Sequence, residues 1–164
     1  MIKSIAAAAV AALLSLNALA EPAISVEQIR QVIAASDDAA MRRDPLGIGL
    51  HLSEHFEKTI EVPYQGWTSS MKLGKQEYLD LIEQGWTNMR EYSYRRADTV
   101  INIAADGLSG ESSSTITEAM LIDGQTRVSR IREYAHYALE NGRTVITWIG
   151  GHPLVGDTMP EVSK

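Results

Sequence analysis

The chain has 164 residues, a formal net charge of −6 at pH 7 and no cysteine. That length suits one domain with a core of its own. The missing thiol excludes disulfides, thiol catalysis, cysteine metal ligands and a lipidated N-terminal cysteine, and an acidic chain without a basic run is a poor candidate for nucleic-acid binding.

The N-terminus opens with Met1-Ile2-Lys3, runs apolar from Ile5 to Leu14 and reaches Ala18-Leu19-Ala20 just before Glu21-Pro22. A basic start, a short apolar stretch and an A-x-A site predict a secretory signal peptide over residues 1–20, cut after Ala20. The apolar stretch is short for a span of roughly 20 residues. No later segment is long and apolar enough to cross a bilayer, so no membrane contact is expected after cleavage. The expected location is the bacterial periplasm or the medium. Cleavage removes one lysine and no acid, which leaves the remaining domain more acidic still.

Ser25 reads as an N-cap, with Gln28 three residues on to complete a capping box and Ile24 with Ile29 as a hydrophobic staple. Val26, Ile29, Ile33, Ala40 and Met41 recur at helical spacing and predict a helix to about Arg42. Asp44-Pro45 restarts the chain as N-cap and first helical residue. The short second helix runs through Leu46 and Leu50, with His55 as its furthest extent, and is weakened by Gly47 and Gly49. Thr59 to Tyr64 reads as a strand and Gln65-Gly66 as a turn, and Trp67 to Leu73 either pairs back on that strand or runs on as a loop. A third helix spans Gly74 to Met89, with Tyr78, Ile82, Trp86 and Met89 on one stripe. From about Tyr92 to Gly151, Asp106-Gly107, Asp123-Gly124 and Asn141-Gly142 fall at near-equal intervals between stretches rich in Ile, Val, Thr and Tyr. They predict a meander of four long antiparallel strands, and strands this long must twist and coil. Residues 153–164 hold Pro153, Gly156 and Pro160 without a period and read as a flexible tail. Residues 21–152 are therefore one domain.

Two helices, a β pair, a third helix and a meander give an α+β class, with three helices on the concave face of a strongly curved antiparallel sheet. This order resembles the cone-shaped NTF2-like superfamily, with its SnoaL-like and ketosteroid-isomerase-like branches, over about Val26 to His152. Arg43-Asp44-Pro45, Leu52-Ser53-Glu54-His55-Phe56-Glu57 and Leu139 to Ile146 carry the local likeness. Trp148 comes later than the usual tryptophan after the last hairpin. The resemblance implies a pocket inside the cone, mostly apolar with a few converging polar groups. Its enzymes need no cofactor. They use a carboxylate or histidine as base and a tyrosine or acid as donor to an oxyanion. Near the first strand, where the isomerase base falls, this chain offers Glu57 and Glu61.

Candidate site residues follow from parity, since residues two apart on a strand share a face. Arg130, Arg132, Tyr134 and His136 share one face of the fifth strand. They either line a polar pocket for an anionic or carbonyl group or form a solvated or dimer-forming outer face. Ile131, Ala135, Tyr137 and Leu139 share the other face, interrupted by Glu133. Glu118 alternates with Ile116 and Met120. It is either a carboxylate of raised pKa, fit for proton transfer, or the partner of an arginine on the next strand. The candidates for catalysis are thus Glu118, His136 and Tyr134, and those for ligand binding are Tyr64, Trp67, Arg130, Arg132 and Glu61. Tyr92, Tyr94 and Arg96 read as an outer sheet surface, where the resemblance implies a homodimer. His51-Leu52-Ser53-Glu54-His55 matches a zinc-binding order if it lies on a helix, but the helix there is short and glycine-bearing, and no metal is expected. Three functions stay open: an exported small-molecule-binding domain, a cofactor-independent isomerase, dehydratase or cyclase, and a dimeric interaction module with a filled cone.

Overall fold

A computed structural model describes residues 23–64, 67–87, 89–122 and 124–154. The expected signal peptide and the part of the expected tail from residue 155 onward lie outside the described residues, as do Gln65, Gly66, Asn88 and Asp123. Helix α1 runs Val26–Met41, α2 Pro45–Gly49 and α3 Lys75–Thr87; the strands are β1 Leu52–Tyr64, β2 Trp67–Gly74, β3 Tyr92–Ile103, β4 Ser109–Ile122, β5 Gln125–Glu140 and β6 Arg143–Pro153.

Local chemistry sets the starts of α1 and α2. Gln28 N donates to Ser25 Oγ at 3.2 Å and Ser25 N donates to Gln28 Oε1 at 2.7 Å, a complete capping box. Ile24 and Ile29 are both buried beside it. Asp44 Oδ1 accepts from Gly47 N at 2.8 Å, with Pro45 opening α2. Arg43, at φ 55°, turns the chain between the two helices, and its guanidinium donates to Met89 O at 2.7 Å just past α3. Asn141 and Gly142 take φ 51° and 75°; the positive pair suits a tight hairpin whose twist matches the strands.

The six strands form one sheet in the order β2-β1-β6-β5-β4-β3. Neighbours are antiparallel except β1 and β6, which run parallel with Glu57 opposite Trp148 and Lys58 opposite Ile149. That pairing brings the first hairpin beside the last strand and was not expected from the sequence. Register shifts interrupt the β1–β6, β3–β4 and β5–β6 pairings; such bulges bend a sheet and strengthen its twist. At the β3 bulge Asp98 takes φ 52°, and the inward parity passes from Tyr92, Tyr94 and Arg96 to Ile101 and Ile103.

The helices cover one face of this open, curved sheet. Ile29, Val32, Ile33, Ile48 and Leu79 from the helices meet Leu52, Phe56, Ala135, Tyr137, Ile146 and Ile149 from the sheet. Each large apolar side chain buried there contributes roughly 1.5–3 kcal/mol. Met41, expected on the apolar stripe of α1, is exposed, and Ala39 is buried in its place.

Two expectations change. The chain is extended from Leu52, well before Thr59, so His51 lies in a turn and His55 on β1. The helical spacing that would let both histidines share a metal is absent, and Glu54 is ion-paired to Lys75 at 2.6 Å. At the other end, His152 and Pro153 belong to β6, and Leu154 N donates to Arg130 O at 3.0 Å. The sheet therefore holds the first residues assigned to the tail.

Candidate functional site

A cavity of about 380 Å³ lies between the helices and the concave face of the sheet. Ile33, Ile48, Ile82, Trp86, Ile116 and Ile149 supply much of its apolar wall. Its charged lining is Asp37 from α1, Lys58 from β1, Arg96 from β3, Glu118 from β4 and Glu133 from β5. Three carboxylates thus face two cations.

Arg96 organises one side. Its Nε lies 3.0 Å from both oxygens of Asp37, one terminal nitrogen donates to Glu133 Oε1 at 2.9 Å, and the other donates to the Tyr94 hydroxyl at 2.8 Å. Tyr94 in turn donates to Asp37 Oδ1 at 2.9 Å. A guanidinium offers five donors in a fixed fork, so it can satisfy two carboxylates and a hydroxyl at once. Burial works against the Arg96 cation, but Glu133, Tyr94 and Asp37 together outweigh it and hold its pKa above the ordinary value. Burial also raises the Tyr94 hydroxyl well above the usual range.

A second polar group stands apart from that network. Tyr92 donates to Glu118 Oε1 at 2.6 Å, and the Tyr92 and Trp86 rings meet at 6.0 Å in an edge-on contact. Burial, then the Glu118 carboxylate, keeps the Tyr92 proton in place far above the usual range. Lys58 sits over the Tyr78 ring, with Nζ 5.8 Å from its centroid. Among the described residues it has no carboxylate within ion-pair distance and no hydrogen-bond acceptor, although Lys72 and Lys75 both have ion-pair partners. Burial lowers the Lys58 pKa, and neighbouring Glu133 and Glu118 only partly offset that. Tyr137 also lines the cavity; its hydroxyl lies 2.9 Å from Ser112 Oγ, and burial pushes its pKa up to about 12.

The residues singled out in the sequence separate by strand face. Glu118 lies in the cavity, and its hydrogen-bond donor is a tyrosine on β3 rather than an arginine. Arg130, Arg132, Tyr134 and His136 lie on the opposite, outer face, because β5 turns Ile131, Glu133, Ala135 and Tyr137 inward. There Tyr134 stacks near His152 at 5.8 Å and His136 near Trp148 at 4.6 Å. The Trp148 indole lies across Gly150 and donates to Thr59 at 3.0 Å. Roles for His136, Tyr134, Arg130 and Arg132 inside the cavity are therefore excluded by parity. Glu61 is exposed and points away from inward-facing Ile60. Glu57 is ion-paired to Lys72 at 2.9 Å. Tyr64 and Trp67 pair at the β1–β2 turn, and their side chains lie outside the described residues. Tyr92, Tyr94 and Arg96, read as an outer surface, line the cavity instead.

Sequence reasoning passed over Asp37 and Lys58, yet each carried a signal. Asp37 falls one turn after Ile33 on the apolar stripe of α1, and Lys58 alternates between Phe56 and Ile60.

No family model and no curated protein matches the sequence. Solved structures match over most of the chain. A candidate scytalone dehydratase from Novosphingobium aromaticivorans is 10% identical with a TM-score of 0.63, covering 81% of this chain and 87% of that one. The hexachlorocyclohexane dehydrochlorinase LinA-type3 from Novosphingobium barchaimii is 13% identical with a TM-score of 0.63, covering 82% and 93%. A candidate dehydratase of the NTF2-like family from Streptomyces avermitilis is 14% identical with a TM-score of 0.63, covering 80% and 96%. At these identities the likeness is one of fold, and it agrees with the element order, the open curved sheet and the cavity between helices and sheet: the chain has the NTF2-like cone fold.

Proposed function

We propose that this is an exported domain that binds a small, neutral, partly apolar molecule inside the cone. The observation that carries the reading is the cavity itself: about 380 Å³, with apolar walls and polar groups held at fixed places by their own hydrogen bonds. Pockets for small molecules have this composition. With three carboxylates against two cations in the lining, an anionic ligand would meet net repulsion. Export rests on the signal-like sequence of residues 1–20. Titration of the purified protein with neutral aromatic and alicyclic compounds, followed by tryptophan fluorescence, tests the binding. Saturable quenching, lost when Ile82→Trp fills the cavity, is expected; no quenching by any compound would refute it.

A second reading is proton-transfer catalysis on the bound molecule. Its support is Glu118, a carboxylate in the cavity whose position is fixed by Tyr92, and the dehydratase and dehydrochlorinase names among the proteins of like fold. In that case Glu118→Gln abolishes turnover and leaves the melting temperature nearly unchanged; retained turnover would remove Glu118 from the role. For the outer face of β5 and β6 we propose a second copy of the chain as partner. Light scattering on the protein and on Tyr134→Glu decides: a dimer that the substitution dissociates supports it, and a monomer refutes it.

A further inference from the structure

Lys58 has no place in the binding reading so far. It lies in the middle of β1, paired to Leu73 of β2 on one side and Ile149 of β6 on the other, and its side chain enters the cavity. Lys58 is only partly exposed, lysines seldom leave solvent without a partner, and desolvating an unpaired ammonium is unfavourable. The Tyr78 ring offsets a small part of that. A structural cation here would be expected to carry a carboxylate at contact distance, as Arg96 does with Asp37 and Glu133. Instead the amine is left free beside an apolar wall.

From this placement we infer that Lys58 is a nucleophilic amine that captures an aldehyde or ketone in the cavity as an imine. The inference rests on the binding reading above and narrows it to carbonyl ligands. An anion is the competing choice for an unpaired ammonium, but the same lining holds Asp37, Glu118 and Glu133, and only Arg96 opposes them when the amine is neutral. A neutral carbonyl meets no such repulsion.

The step balances without a co-reactant. The amine lone pair forms a bond to the carbonyl carbon, and the carbonyl π pair moves to oxygen, which takes up a proton. The resulting carbinolamine loses its oxygen as water while the nitrogen pair forms the C=N bond. Overall, the carbonyl oxygen leaves with the two amine hydrogens, and nothing is oxidised or reduced. Only the unprotonated amine reacts, and burial favours that form at lower pH than at a surface lysine. The titratable and charged groups that share the cavity with it are Asp37 on α1, Tyr78 on α3, Tyr92, Tyr94 and Arg96 on β3, Glu118 on β4, and Glu133 and Tyr137 on β5.

The test is reductive trapping on the full-length protein at pH 7, with cinnamaldehyde as probe, cyanoborohydride as trap, and peptide mapping of each lysine. Lys72 and Lys75, ion-paired outside the cavity, are the internal references. Adduct formation at Lys58 at least about tenfold faster than at either reference is expected, because more of its amine is unprotonated at this pH. Lys58→Arg and Lys58→Met should lose this adduct. Both should still quench tryptophan fluorescence on binding the probe, and their melting curves report folding. If the probe quenches fluorescence but labels Lys58 no faster than Lys72, imine capture is wrong and the binding reading stands. If the probe neither binds nor labels, both are wrong for this carbonyl class.

Discussion

The two faces of β5 carry different residue types and do different things. Outward, Arg130, Arg132, Tyr134 and His136 stand side by side, with Tyr134 and His136 exposed to solvent. Inward, one charged residue, Glu133, sits among Ile131, Ala135 and Tyr137, and its carboxylate is bonded to Arg96. Charge is cheap on the outer face because water screens it. On the inner face of β5 the one charge, Glu133, has a specific partner in Arg96; without it the buried carboxylate would cost several kcal/mol. Abundant polar groups therefore mark the solvated face of β5, and a single bonded carboxylate marks its inner face.

This contrast predicts unequal responses to mutation. The largest effect should come from Arg96→Met, which strands Asp37 and Glu133 in the cavity wall. A loss of about 3–5 kcal/mol in urea unfolding is expected, against roughly 0.5 kcal/mol or less for Arg130→Ala on the outer face. Equal losses would abolish the distinction.

Alkaline titration comes next. Burial raises the pKa values of Tyr78, Tyr92, Tyr94 and Tyr137 in the fold. A raised folded value adds stability that is complete below the unfolded value of about 10 and is lost as pH climbs towards the folded one; for Tyr137 the window closes at about 12. Tyrosinate absorbance should therefore show the inner tyrosines ionising only with unfolding. Their smooth titration near pH 10 in the folded protein would show that the inner face is wet.

A smaller loss, about 1–2 kcal/mol, should follow Tyr137→Phe, which leaves Ser112 buried without its partner. Smaller still, Gly85→Ala on the cavity side of α3 should gain about 0.5–1 kcal/mol, because an added Cβ meets only Met89 Cε at 3.9 Å. A loss would mean that α3 does not tolerate filling there.

Much of this fold was legible because local chemistry fixes it. The Ser25 capping box, Asp44-Pro45 and the Asn141-Gly142 turn each depend on residues within a few positions of one another. The parallel pairing of β1 with β6 was not legible, since nothing near Leu52 or Ile146 encodes a partner so distant in the chain. The site divides the same way. Glu118 and Glu133 stood out as acids in apolar alternation. The faces of β3 and β5 could not be assigned, because an Arg-Tyr alternation has the same period whether it faces water or a guanidinium network. The bulge at Asp98 then reverses parity along β3.

The most direct test of the inner face as the working face is native mass spectrometry of the protein purified under gentle conditions. Three forms belong side by side: the unaltered chain, Ile82→Trp in the cavity, and Arg130→Ala with Arg132→Ala outside it. A small molecule carried by the unaltered chain and the outer variant, but absent from Ile82→Trp, is the predicted result. A molecule kept by Ile82→Trp and lost from the outer variant would contradict the assignment.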